Sequence, residues 1–281
     1  MKSCMVTALS IYPVKGCQAV SVDSIDVRCG GIVGDRELMM VKDGENYAQR
    51  DHPGIAAISV TVLDDGSIKL SHPEGGEFVH SIQDAGGDVP VKFFYNKITT
   101  LDQGDEIAGW CCDVLKDDGI RMVSLPKPWN RKLGLPEFER IEEKTQAQLY
   151  DVAPILLNNQ ASLDDFNGRT EQTVPMNRFR GNVVVSGDLN PYEENEIDRL
   201  SSDTAELLYV TVCERCVLTT TDQTTGERPT KEPIKTLSTY QRRTDKYASG
   251  IIFGAYMAVG REGLINVGDR FEIGARDGVP V

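Results

Sequence analysis

The sequence predicts a mainly β protein with a few helices, an α+β chain folded as two β-barrel-like domains. Three observations predict it. Short runs of Val, Ile and Leu recur along most of the 281 residues, punctuated by Gly, Pro or Asp. Only three segments space their apolar residues as a helix does. At about 150 residues per domain the length suits two domains, and many short strands with few helices suit barrel-like halves. No internal repeat or low-complexity segment competes with this reading.

Residues 6–12 read as the first strand, ended by Pro13. Residues 20–27 alternate apolar and polar, with Val20, Val22, Ile25 and Val27 apolar, before Gly30-Gly31. A short apolar strand follows at 38–41. Residues 58–63 and 68–70 flank Asp64-Asp65-Gly66-Ser67, a hairpin signal because Gly supplies the positive φ of the turn. Residues 93–101 add a strand. The first helix is expected at 104–115, where Ile107, Cys111, Val114 and Leu115 share a face, with Gly119 as its stop. Residues 126–143 carry three prolines, Trp129 and alternating charges and read as a crossover between the halves.

In the second half, 160–167 is a helix with Leu163 and Phe166 on one face. Another starts at Glu232, with Pro233 in its first turn and Ile234, Leu237 and Tyr240 facing inward. Strands are expected at 182–186, at 207–212 and 217–221 around the turn Cys213-Glu214-Arg215-Cys216, at 251–259, and at 264–273 with Gly268-Asp269 as a turn. The domains are thus expected at 1–122 and 145–281, joined by a linker at 123–144.

The formal net charge is −13, which repels phosphate backbones and argues against nucleic-acid binding. An anionic ligand must then be held by a local basic cluster. Seven cysteines, odd in number and irregular in spacing, do not form a disulfide framework. Reduced thiols and a cytoplasmic location are expected. No run of about 18 apolar residues predicts a membrane span. The N-terminal apolar run is broken at Ser10 and closed by Pro13, unlike a signal peptide, so the mature protein is expected to begin close to Met1.

The sharpest local feature is Cys213-Glu214-Arg215-Cys216. A zinc site needs four ligands, but His52, His72 and His80 are distant and Cys111-Cys112 lies on a helix. A thioredoxin-like pair needs a helix after the first cysteine, but Val217-Leu218-Thr219-Thr220-Thr221 looks like strand. Two thiols packed as small hydrophobes is the plainer alternative, and the residues alone leave all three open. Lys15, Arg36, Arg50, Arg178, Arg180 and Arg215 lie at or near turns, several beside glycines. Singly each reads as a surface charge. Together, guanidinium forks beside open backbone are the chemistry of phosphate recognition, to which the Thr219–Thr221 hydroxyls could add.

Four strings carry a resemblance: Ile11-Tyr12-Pro13-Val14-Lys15-Gly16-Cys17, Gly34-Asp35-Arg36, Asn177-Arg178-Phe179-Arg180-Gly181-Asn182 and Cys213-Glu214-Arg215-Cys216-Val217-Leu218-Thr219-Thr220. Asp222, Thr225-Gly226, Lys231-Glu232-Pro233, Leu237, Phe253-Gly254 and Val267-Gly268-Asp269 extend it to nearly the whole chain. In this order they resemble MOSC-domain proteins with an N-terminal MOSC β-barrel domain, the branch of the mitochondrial amidoxime-reducing component and its bacterial relatives. The resemblance implies a MOSC β-barrel behind an N-terminal barrel, and a molybdenum cofactor, a molybdopterin ending in a phosphate with the metal on one protein thiolate. That ligand maps to Cys216. Lys15, Arg36 and Arg180 map to cofactor contacts, with Gly16, Arg50, Asn182, Arg215 and Thr219 as further candidates.

The implied activity is two-electron reductive dehydroxylation of small N-hydroxylated substrates such as amidoximes, hydroxylamines and N-hydroxylated bases. Electrons come from a separate donor protein of the ferredoxin or cytochrome type with its reductase. The chain has no G-x-G-x-x-G fingerprint, and Cys4, Cys17, Cys29, Cys111 and Cys112 lack iron–sulfur spacing. Asp222 is the candidate proton donor. A cofactor or sulfur carrier, and a thiol redox protein using Cys213 and Cys216, are the alternatives. The chain departs from the family pattern at Gly16, where Ser is usual, at Gly181, where Pro is usual, and at Asn195 and Ile197, where an acid and Trp are usual. Neither an appended ferredoxin domain nor an anchor ahead of the first strand is expected.

Overall fold

A computed structural model describes residues 2–93, 96–129, 131, 147–243 and 250–275. Most of the expected linker at 123–144 lies outside the described residues. The chain opens with β1 (Ser3–Ile11), β2 (Val14–Lys15), β3 (Val20–Val22), β4 (Ser24–Arg28), β5 (Gly31–Ile32), β6 (Leu38–Lys42) and β7 (Glu45–Asn46). It continues with β8 (Ser59–Val62), β9 (Ile68–His72), β10 (Gly76–His80), β11 (Asp88–Phe93), β12 (Asn96–Asp102), helix α1 (Asp105–Leu115) and β13 (Arg121–Ser124). The second half holds β14 (Ile155–Asn159), α2 (Gln160–Gly168), β15 (Val183–Gly187), β16 (Ile197–Ser201), β17 (Glu206–Arg215), α3 (Ile234–Leu237), β18 (Ile251–Arg261), β19 (Gly263–Asn266) and β20 (Arg270–Ala275).

Both halves close as barrels. In the first, the order β13-β12-β11-β7-β6 returns to β13 through the antiparallel β13–β6 ladder. All four of Leu38, Met39, Met40 and Val41 in β6 are buried, because each face of this strand packs on its own cluster. Helix α1 lays Ile107, Cys111 and Val114 on the first cluster. In the second barrel the order β15-β14-β18-β17-β16-β20-β1 closes through β1–β15, with β3 attached to β1. Its core includes Val6, Leu9, Leu157, Val183, Leu207 and Phe271.

The N-terminal strand therefore belongs to the C-terminal barrel, and β4 pairs with both β5 and β19. The division expected at residue 122 is not a division between sheets. Ladder partners lie far apart in sequence, and the local pattern of β1 does not name its partner. This crossing carries Tyr12 and Lys15, just after β1, to the junction of the two barrels.

Several expected elements change. The strand at 93–101 is part of the β11–β12 pair, with Phe93 opposite Asn96. The strand at 20–27 divides at Asp23 into β3 and β4. Gly66, at φ +82°, makes the β8–β9 turn as expected. Helix α1 ends on Lys116 in a left-handed cap, with Gly119 in the turn beyond. Helix α3 is one short turn with Pro233 as its N-cap, and the Glu232 carboxylate accepts from Thr236 N at 3.0 Å. The strand expected at 217–221 is a 3₁₀ turn, Val217–Thr220. There Thr219 Oγ1 and Thr220 Oγ1 donate to the carbonyls of Cys216 and Val217, at 3.0 and 2.7 Å. These local bonds compete with a ladder and bend the chain.

Candidate functional site

Tyr12 is the platform of the site. Its hydroxyl donates to Gly181 O at 3.1 Å, and the Arg180 and Arg36 guanidinium carbons lie 4.3 and 5.0 Å from its ring centre. Both arginines hold left-handed backbone, at φ +52° and +50°, which a residue with a Cβ adopts at a cost of about 1–3 kcal/mol. Asp35 is fully buried, pairs with Arg36, and accepts from Tyr12 N at 2.8 Å. Asn182 knits the elements together. Its amide donates to Ser10 O and Asp35 Oδ1, both at 3.1 Å, and its oxygen accepts from Leu156 N and Arg36 Nη1, both at 3.2 Å.

Lys15 extends the cluster. It donates to Leu149 O at 3.0 Å, pairs with Asp151, and stands 5.0 Å from the Phe93 ring centre. Arg131 lies 5.0 Å from the same ring centre and donates to the carbonyls of Gln148 and Tyr150, each at 2.6 Å. Burial pushes the Lys15 ammonium below its ordinary pKa against the pull of Asp151, and Arg36 and Arg131 add to the push. Burial likewise pushes Arg180 down, with Arg36 adding. Lys15, Arg36, Arg131, Arg180 and Arg215 thus gather against two carboxylates, Asp35 and Asp151.

Cys216 follows directly on β17 and is the only exposed cysteine of the seven. Burial pushes the Cys4 and Cys111 thiols up to about 12, and Cys17 also upward, so these thiols stay protonated. Cys213 lies buried within β17, and its Sγ accepts from Arg215 Nη1 at 2.7 Å. Arg215 Nη2 donates to Phe179 O at 2.7 Å. The two cysteines therefore face different surroundings, and the first opens no helix. Among the described residues no three His, Cys, Asp or Glu side chains gather as a metal site would require.

The structure thus brings Lys15, Arg36, Arg180, Asn182 and Arg215 together and adds Cys216 beside Arg215. Thr219 is buried, its hydroxyl spent on the Cys216 carbonyl. Gly16 sits at φ +92°, where a Cβ would lie 3.1 Å from Ile55 Cγ2, so the turn accounts for its departure from Ser. Arg50 is exposed and pairs with Asp51 at 3.5 Å. Asp222 pairs with Arg178 at 3.0 Å and accepts from the Thr224 and Thr225 N–H groups at 2.9 and 3.1 Å. Burial opposes its ionisation, but the Thr224 and Thr225 N–H groups and the Arg178 charge hold its carboxyl below the usual range. The sequence reading missed Asp35, Arg131 and Asp151 as members of the cluster. Asp35 was signalled by its place before Arg36; the other two carry no local signal.

The arrangement suits a phosphate-bearing, metal-holding group. Arg215 Nε is buried without a partner among the described residues. Both hydrogen bonds of Arg180 leave from Nη1, so Nε and Nη2 remain as donors among the described residues. A phosphate dianion would take such donors and balance the excess charge. A thiolate suits a soft metal centre.

The family models give this architecture its class. Residues 3–118 match the MOSC N-terminal beta barrel domain and residues 144–272 the MOSC domain. The chain belongs to the MOSC-domain family, alongside the amidoxime-reducing components. It is 32% identical over 275 residues to mitochondrial amidoxime reducing component 2 of Bos taurus, covering 94% of this chain and 81% of the bovine protein. To that of Rattus norvegicus it is 34% identical over 281 residues, with the same coverage. A solved structure, the YUAD protein of Bacillus subtilis, aligns over 98% of this chain and 97% of its own at 13% identity, with a TM-score of 0.43. Among the described residues no helix is long and apolar enough to cross a membrane.

Proposed function

We propose that this protein is a molybdenum-cofactor-dependent reductase of N-hydroxylated compounds, supplied with electrons by a separate redox protein. One observation carries the reading: the sole exposed thiol, Cys216, stands beside a cation cluster with donors to spare, in a chain similar to amidoxime-reducing components over 94% of its length. When bound, the cofactor supplies the two-electron step by which R–NHOH, two electrons and two protons become R–NH2 and water. The Cys216 thiolate would hold the metal. Arg180, Arg36 and Lys15 would hold the phosphate, and Arg215, fixed by Cys213 and Phe179 O, would present its free Nε beside the thiolate. Asp35 and Asn182 hold Arg36 so that its charge is aimed before any ligand arrives. Lys15, Arg36 and Arg180 are themselves mostly buried, which strengthens each charged contact they make.

The test uses protein purified from a molybdenum-replete host. Molybdenum near one per chain, with reduction of benzamidoxime by a viologen-type donor, is the expected result. A metal-free protein, or a loaded protein with no turnover of any N-hydroxylated compound, overturns the reading; the latter result is that of a cofactor carrier.

A further inference from the structure

We infer that Gln223 is a positioning residue for Arg180, and that its amide oxygen sets how the cofactor phosphate is held. The inference rests on the proposed reading of Arg180 as a phosphate contact. Arg180 is 8% exposed and its backbone is left-handed, so the guanidinium direction depends on what grips it from outside. Two acceptors do so, both at Nη1: Cys17 O at 2.8 Å and Gln223 Oε1 at 2.7 Å. Arginine only donates, so the Gln223 amide must present its oxygen. Its nitrogen accordingly donates to Thr221 O at 3.1 Å. The same Oε1 accepts from Gln49 Nε2 at 3.1 Å. Gln49 and Gln223 are 2% and 6% exposed, where an unmade hydrogen bond is costly.

Gln223 lies in the loop that leaves the Cys216 turn, and that loop is fastened to the other barrel. Arg228 donates to Thr221 Oγ1 at 3.0 Å, and to the carbonyls of Gln49 and Arg50 at 3.2 and 2.6 Å. Gly226, at φ +74°, passes so near that a Cβ would lie 2.9 Å from Gly54 Cα. Two fastened surfaces thus fix one amide oxygen, which takes Nη1 of Arg180 and leaves Nε and Nη2 as donors among the described residues.

The experiment compares holoprotein carrying Gln223→Met, close in size but without the acceptor, with Gln49→Met, which loosens the clasp yet keeps the Arg180 bond. Gln223→Leu serves if the first variant folds poorly. Cofactor release after dilution is followed by retained molybdenum and by the fluorescence of the released, oxidised pterin. The paramagnetic resonance signature of the metal reports on the Cys216 side. Gln223→Met should release cofactor about tenfold faster, as one lost orienting hydrogen bond implies, with the resonance signature unchanged and Gln49→Met near wild type. Unchanged release overturns the inference. So does faster release matched by Gln49→Met or joined to an altered signature, since that is a structural clasp only. Wild-type protein that holds no cofactor overturns the proposed function instead.

Discussion

Cys216 and Cys213 stand three positions apart, yet the fold treats them oppositely, one exposed and one buried against Arg215. Cys216→Ser should abolish turnover and metal retention, because a hydroxyl is a poor ligand for a soft metal; Cys213→Ser should only loosen Arg215. Metal analysis and a steady-state assay check both, and iodoacetamide should label Cys216 first in the apoprotein. Arg36 is a harder case. Arg36→Ala removes a phosphate contact and also leaves Asp35 a buried carboxylate without its cation. It should therefore lower cofactor occupancy and cost about 3–5 kcal/mol of stability, read from urea unfolding. Lys15→Met spares Asp35 and should lower occupancy with a far smaller stability loss.

At the scale of elements, the Cys216 turn and the loop after it are held by backbone approach as much as by side chains. Gly226→Ala adds a Cβ 2.9 Å from Gly54 Cα at a positive φ, so it should destabilise the barrel junction by about 2 kcal/mol, visible as a lower urea midpoint. Helix α2 meets a second constraint in Glu194. This residue is fully buried and its carboxylate accepts from Ser162 Oγ at 2.8 Å. Burial pushes its pKa from an ordinary 4.5 up to about 7. Between these values the folded chain keeps a proton that the unfolded chain has released. The stability this contributes is complete below the lower value and is lost as pH rises through the upper one. Glu194→Gln should flatten that loss and gain about 3 kcal/mol at pH 8, checked by unfolding at a series of pH values.

For the whole molecule, the proposed chemistry consumes two electrons that no fingerprint in this sequence can draw from a dinucleotide. Pure protein should be inactive with NADH and active with a viologen-type reductant, and a small ferredoxin- or cytochrome-like protein should restore a natural route. Robust NADH-driven turnover by the protein alone would refute this. A net charge of −13 favours a donor with a basic docking face, so the donor-driven rate should fall as salt rises.

Much was legible in the residues because it is local. The first strand ended by Pro13, the Gly66 hairpin and the apolar face of α1 are each read within a single stretch of chain. The arginines beside glycines pointed to a phosphate, while the thiolate role of Cys216 came from the resemblance of its string to MOSC-domain proteins. Local pattern also misled where side chains compete with ladders, as Thr219 and Thr220 do in turning an expected strand into a 3₁₀ turn. What only the tertiary structure decided is non-local. Strand β1 closes a barrel with β15 and β20, Arg131 reaches the ring of Phe93, and Gln223 takes Arg180 and Gln49 on one oxygen. Strand pairing and buried polar contacts are chosen by closure and satisfaction across the whole chain. The sequence by itself determined which groups could do the chemistry; the folded barrels decided which of them are spent on holding the others in place.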